Sequence, residues 1–262
     1  MPLIQNYTVY NERMEAGIKD KLWFVDNLLP EINTVIDFGC ADCALGRALG
    51  YYYPNQFRYI GIDNDAHMRE LGSEAGFTVV EDILDLDTLN IDFDKTVMVF
   101  SSVIHEIAHY SGFRMVEATF REVRAERCRP KQIAIRDMSF EGDVIFDELM
   151  KRGIEAVIED SPYKTRYEDF IATCKEQGRD DEDHWGLEFL LKYSYAENWK
   201  REKAERYLWN WDDTVFRILS PCYHQDCSYS FNIPYQVRKI RKDFNYTVYR
   251  HTHRKELYTR AD

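Results

Sequence analysis

Val35-Ile-Asp-Phe-Gly-Cys-Ala-Asp-Cys-Ala-Leu-Gly46 runs from an apolar segment through a turn of small residues into a helical pattern. Small side chains let a backbone approach a ligand, and the N–H groups at a helix start favour polar or anionic groups. A nucleotide-type cofactor fits such a turn. About 20 residues on, Arg58-Tyr-Ile-Gly-Ile-Asp63 reads as a second strand ending in an acid, placed to accept hydrogen bonds from a ribose. A third strand, Phe77 to Val80, runs into Glu81-Asp82, where a carboxylate can receive an adenine amino group.

Outward from this stretch, strands and helices alternate. Further strands are predicted at Thr96–Ser101 and Gln132–Arg136, and helices near Leu45–Tyr53, Ala66–Glu74 and along the Phe113, Val116, Phe120, Val123 stripe. Met14, Ile18, Leu22, Val25 and Leu29 mark an N-terminal amphipathic helix ended by Pro30. This rhythm calls for an α/β fold with a parallel sheet and helices on both faces. After Asp137 about 90 residues follow with helical periodicity, at Val144–Ile158, Tyr167–Cys174 and Trp185–Tyr207. At the end, Val237–Phe244 reads as helix, and Tyr246–His251 with Glu256–Thr259 as a closing strand pair.

With three strand ends in hand, residues 10 to 138 and the terminal pair resemble the class I S-adenosylmethionine-dependent methyltransferases. The resemblance implies a Rossmann-like, mostly parallel seven-stranded sheet with a helical insertion after the fifth strand. It divides the chain into a methyl-donor-binding core (1–138), a helical lid (139–232) and a C-terminal helix with an antiparallel strand pair completing the core (233–262). It also implies S-adenosylmethionine as cofactor, held by Asp37, Gly39, Cys40 and Ala41 in the loop, Asp63 and Asn64 after the second strand, Asp82 and Ile83 after the third, and Ser101 at the end of the fourth. The family's three alternating loop glycines fall here on Gly39, Ala41 and Cys43. A nicotinamide-dependent oxidoreductase is the rival, with two of its three glycines missing. A methyltransferase-like scaffold that has lost its cofactor is the noncatalytic alternative.

Methyl transfer from a sulfonium is an in-line displacement, so the protein mainly supplies alignment and a dry site. An acceptor hydroxyl or ammonium adds the need for a base. His105, Glu106 and His109 after the fourth strand and Asp137 at the end of the fifth are the candidates. His105-Glu-Ile-Ala-His109 also matches the helical zinc-protease signature, but it follows a buried parallel strand inside a methyl-donor pattern, and no metal is expected. Cys222, His224 and Cys227 form a second compact cluster, read as free thiols. In the insertion, Glu188, Lys192, Tyr195, Glu197, Asn198 and Trp199 offer hydrogen bonds beside aromatic surfaces, although helical core and i,i+4 pairing explain them equally.

The 262 residues carry a net charge of −12, which argues against nonspecific binding to nucleic acid or anionic membrane. From Pro234 onward eight Lys or Arg face three acids, a local charge of +5. Six irregularly spaced cysteines do not make a disulfide framework, and no apolar run approaches the roughly 20 residues of a membrane span. A cytoplasmic enzyme acting on a small molecule, a nucleotide or a defined RNA is expected.

Overall fold

A computed structural model of the protein describes residues 17–139, 148–207 and 210–261. Its seven-stranded sheet comprises β1 (Thr34–Phe38), β2 (Arg58–Ile62), β3 (Thr78–Val80), β4 (Thr96–Ser101), β5 (Gln132–Met138), β6 (Tyr223–Phe231) and β7 (His253–Arg260). The order is β3-β2-β1-β4-β5-β7-β6, and the β3-β2-β1-β4-β5 pairings are parallel. β7 runs antiparallel between β5 and β6. Arg260 N–H bonds Lys131 O at the start of β5, while Ser139 N–H bonds Thr252 O at its other end. Ala261 N–H and Thr252 N–H reach Cys222 O and Phe231 O in the same sense.

β1 and β4 are buried on both sides, as expected of inner parallel strands. One side of the sheet, with Val35, Val97, Val99, Ala134 and Leu257, packs on Leu45, Ala48 and Leu49 of α2 (Ala44–Tyr52) and on Leu22 and Phe24, which follow α1 (Ile18–Lys21). On the other side Phe100 stacks on Phe38 and meets Phe120 of α5 (Phe113–Val123). α3 (Ala66–Glu74) and α4 (Ile104–Ser111) complete the helices between strands. The N-terminal amphipathic pattern does not persist as one helix: α1 stops at Lys21, and a 3-10 turn covers Val25–Asn27. Met14 and Val144, which began two expected helices, lie outside the described residues.

Two compact units divide the described residues. One holds 17–137, 211–229 and 255–261; the other holds 138–139, 148–207, 210 and 230–254. These limits depart from the boundaries expected at 138/139 and 232/233. Residues 211–229 join the sheet because α10 (Asp212–Leu219) packs on α5, with Arg124 Nη1 donating to Ile218 O at 2.7 Å, and because β6 is the sheet's edge. The closing strand pair is therefore β6 with β7; Tyr246–His251 is not a strand.

The second unit contains α6 (Glu148–Glu159), α7 (Lys164–Glu176), α8 (Glu182–Lys192), α9 (Trp199–Ala204) and α11 (Pro234–Phe244). Its core is aromatic, built on Phe170, Phe189, Tyr193, Tyr207 and Phe244. Inside it Lys192, fully buried, lies 4.2 Å from the Tyr207 ring centroid and bonds Glu188 Oε1 at 2.7 Å and Glu205 O at 2.5 Å. Arg179 forks onto Glu188 and Asp181. Glu188 and Lys192 are thus interior ion-pair residues and do not offer a ligand hydrogen bonds. The chain enters this unit from the carboxyl end of β5. Among the described residues no helix is long and apolar enough to cross a membrane.

Burial alone would raise the Asp181 carboxyl, but the Arg179 bonds outweigh it and hold the group at about 2, below its usual 3.8. A depressed carboxylate contributes stability that is complete above its unfolded pKa and is lost as pH falls through the folded one. The gap is worth about 2 kcal/mol at neutral pH. Acid titration of the near-ultraviolet dichroism should therefore show the helical unit weakening between pH 4 and 2, with a shallower dependence in Asp181→Asn.

Candidate active site

The chain leaves β1, runs out to β2 and β3, and returns on the other side of β1 as β4, so the order reverses between β1 and β4. In open α/β sheets a crevice opens at the carboxyl ends of such a pair. Gly39 (φ +74°), Ala41 (φ +47°) and Cys43 (φ +62°) are left-handed in alternation after β1. Gly39 has no substitute, since a Cβ there would lie 2.5 Å from Val103 Cγ2. Gly39 and Cys40 N–H groups donate to Ile62 O, and Ala41 N–H donates to Asp63 Oδ2 at 2.8 Å, so the end of β2 anchors the loop. Cys43 does not line the crevice: its fully buried sulfur fills the space beneath Gly72 and, with the Cys40 sulfur 3.8 Å away, the space beneath Gly61.

Lys21, Asp37, Gly39, Ala41, Leu45 and Ser101 line the crevice beside the loop, together with Cys40 and Ala44. Asp37 is buried and accepts from the Tyr59 hydroxyl at 2.6 Å. Burial raises its pKa to about 6, with the Tyr59 bond and the Lys21 charge partly offsetting it. Lys21 is the residue that sequence reasoning missed, because helical periodicity files it under the polar face. Burial of its ammonium, with Arg136 nearby, lowers it to about 8. Its neighbour Asp20 accepts from Arg136 Nε at 2.7 Å and Lys255 Nζ at 2.5 Å, and Arg136 also reaches Ser102 Oγ. That network ties α1 to the β4–α4 turn. The Ser101 hydroxyl is buried with no hydrogen-bond partner among the described residues.

Asp63 also accepts from Asp65 N–H, and burial raises its pKa. A carboxylate offers about four lone-pair sites, so its two backbone bonds leave acceptor capacity. Arg69 joins the strand ends by donating to Asp63 O and Glu81 Oε2. Asn64 is exposed, and Ile83 opens a 3-10 helix that Asp82 caps through Leu84 N–H, with Asp85 returning a bond to the Asp82 backbone.

Beyond β4 the fully buried Asp137 does two things. Its Oδ2 accepts from Ile104 and His105 N–H, capping α4 from a neighbouring strand, and its Oδ1 lies 2.6 Å from His105 Nδ1. With Nδ1 donating to this carboxylate, the basic lone pair of the ring sits on Nε2. Glu106 is half-buried on α4, and the His109 ring packs edge-on against Tyr110. Cys222, His224 and Cys227 do not form a ligand set: His224 pairs with Asp226, while Cys227 packs into the sheet core. All six cysteines are free. A cleft of about 240 Å³ at the amino ends of the strands involves Gln132, Thr259 and Asp226, which bond one another.

The loop conformation makes a paired expectation. A left-handed conformation costs an L-residue about 1–2 kcal/mol, offset by the extra chain entropy that glycine loses on folding. Ala41→Gly should raise stability by up to about 1 kcal/mol. Cys43→Gly relieves the same strain but empties the space beneath Gly72 and part of that beneath Gly61, and should lower stability by about 1–2 kcal/mol. Urea unfolding of the two variants measures both.

No family model and no curated protein sequence matches the chain. Solved structures do. An S-adenosylmethionine-dependent methyltransferase from Archaeoglobus fulgidus superposes with a TM-score of 0.54 at 11% identity, covering 97% of this chain and 100% of that one. The plantazolicin methyltransferase BpumL, solved with S-adenosylhomocysteine, gives 0.48 at 9% identity, over 96% and 84% of the two chains. PKMT2 from Rickettsia typhi, in complex with the same product, gives 0.46 at 12% identity, over 89% of this chain and 49% of that one. With its order of strands and its crevice between β1 and β4, the chain has the Rossmann-like fold of the class I S-adenosylmethionine-dependent methyltransferases.

Proposed function

We propose that the protein binds S-adenosylmethionine in the crevice between β1 and β4 and transfers its methyl group to an acceptor. The observation that carries this reading is the pairing of an unpartnered, buried Ser101 hydroxyl with the Lys21 ammonium and the Asp37 carboxyl in one crevice. A buried polar atom without a partner costs about 1–3 kcal/mol, so such a crevice suits a polar ligand. An amino-acid moiety matches it: Lys21 complements the carboxylate, Asp37 the ammonium, and Ser101 either. Asp63 would take the ribose hydroxyls, and the Asp82–Ile83 turn would border the adenine. When bound, the cofactor supplies an activated methyl group. The chain's own work is to hold the reactants in line and, for a hydroxyl or ammonium acceptor, to remove a proton.

His105 is the base in this reading, acting through Nε2. Asp137 is its positioning residue, fixing the tautomer through Nδ1 and the ring through the α4 cap. Glu106 and His109 have no comparable support. The acceptor is a small molecule, a nucleotide or an RNA. Cys43 would not obstruct the cofactor, because its sulfur is packed between β2 and α3, which weakens the case for a scaffold that has lost the site.

Calorimetric titration with S-adenosylhomocysteine should give micromolar binding, about −8 kcal/mol, with NAD as a control that does not bind. Ser101→Ala should keep or raise stability, since it removes an unsatisfied hydroxyl, yet weaken binding about 3-fold to 10-fold. Lys21→Met should weaken it tenfold or more. Absence of binding by the folded protein, or binding of NAD instead, overturns the reading.

A screen of hydroxyl and amine acceptors with labelled S-adenosylmethionine should find activity that His105→Ala removes while product affinity is retained. Asp137→Asn should shift the His105 ring-nitrogen resonances toward a mixed tautomer and lower the rate; unchanged resonances would exclude a positioning role.

A further inference from the structure

α11 presents a face unlike the rest of this acidic chain. Its exposed residues are Pro234, Tyr235, Arg238, Arg241 and Lys242, followed by the exposed C-cap Asn245. At about 100° per residue these positions fall within a single sector of roughly 120°. The opposite side, with Ile240 and Phe244, is buried in the aromatic core. The outward stripe therefore holds three cations and no acid. Lys239, just outside it, is paired with Asp243 at 3.3 Å, whereas Arg238, Arg241 and Lys242 make no ion pair with any described residue.

Several exposed cations elsewhere face acids, Lys95 with Asp92, Arg121 with Glu117, Arg152 with Glu148, and Lys164 with Glu159, and those that do not, such as Arg114, Lys175 and Arg217, are not gathered on one helix face. Complementing the helix dipole accounts for Arg241 and Lys242 in the last turn, but not for Arg238 in the middle or for the missing acids. Two exposed tyrosines lie near the stripe's ends in sequence, Tyr235 in the first turn at 47% exposure and Tyr249, four residues past the C-cap and edge-on to Tyr246, at 77%.

We infer that this stripe binds single-stranded nucleic acid, with Arg238, Arg241 and Lys242 on phosphates and Tyr235 and Tyr249 stacking on bases. Cations at i, i+3 and i+4 stand about 5–6 Å apart and present a short row of charge to a phosphodiester backbone. Exposed aromatic rings flanking such a row are the usual platform for unpaired bases. The other anionic partners fit less well. An acidic protein would meet no exposed aliphatic side chain on the stripe to anchor it, and a membrane would need the helix's apolar side, which the core already uses. The surface stands independently of the methyl-transfer reading.

Fluorescence anisotropy of the full chain with labelled 12-nucleotide oligouridine and oligoadenine tests this. Binding should weaken with salt at a log–log slope of about −2, as three phosphate contacts on a single strand require. The triple variant Arg238→Glu, Arg241→Glu, Lys242→Glu should lose at least tenfold and flatten that slope. Tyr249→Ala should lose about fivefold or more with the slope unchanged. All four positions are on the surface; should the triple variant misfold by circular dichroism, Arg238→Glu alone should still reduce the slope. Absence of binding at 50 mM salt, or an undiminished triple variant, overturns the proposal. So does equal binding of heparin or phosphatidylserine vesicles with no effect of Tyr249→Ala, which would mark a general anion surface.

Discussion

Three left-handed residues at alternate positions, Gly39, Ala41 and Cys43, turn the chain out of β1, and the carboxyl end of the sheet is organised around that turn. It brings the Ala41 N–H onto Asp63, joining the loop to the end of β2, and it sends the Cys43 sulfur down between β2 and α3. Because Gly39 lies against Val103, the same turn also sets how closely the start of α4 approaches. Only one of the three positions is a glycine. At the other two the chain accepts strain, and at Cys43 it recovers packing: Gly61 and Gly72 are small where the cysteines are large. A glycine missing from the loop has been exchanged for glycines in the elements beside it.

The other wall of the crevice is built from charge. Asp20 gathers Arg136 from β5 and Lys255 from β7, and Arg136 continues to Ser102, itself left-handed at φ +61°. Burial alone would raise Asp20, but the two cations hold its carboxyl below the usual value. This network fixes α1, a helix of four residues too short to stand by itself, and so fixes the direction of Lys21. One residue further along β5, Asp137 points to the opposite side of the sheet from Arg136 and replaces the side-chain cap that α4 lacks. Consecutive residues of one strand thus brace the helices on either side of the β4 end.

Much of this was legible before any coordinates. The strands with apolar runs, β1, β2, β4 and β5, declare themselves because both of their sides are covered, and the acids at their ends follow from strand length alone. β6 was not legible. As an edge strand its residues alternate between the core and water, and Tyr223-His-Gln-Asp-Cys-Ser-Tyr-Ser-Phe231 reads as polar loop or ligand cluster until a neighbour supplies the hydrogen bonds. The Tyr246–His251 pattern misled for the opposite reason: Val248 is apolar because it packs on the helical core, not because it lies in a sheet. Lys21 had no sequence signal, since its role depends on Asp20 and on two strands more than 100 residues away.

The ionisable groups lining the crevice share a physical character. Asp37 is raised to about 6 and Lys21 lowered to about 8, so burial pushes an acid and a base toward their neutral forms at the same place. Ser101 adds a buried hydroxyl without a partner among the described residues. Each of these departures costs folding free energy, and none is needed to hold the sheet, whose core of Val35, Val97, Val99 and Ala134 packs without them. A ligand bearing opposite charges would return Asp37 and Lys21 toward their charged forms and give Ser101 a partner, recovering that cost as binding energy. On the methyl-transfer reading, these are the costs that a zwitterionic ligand would repay on binding.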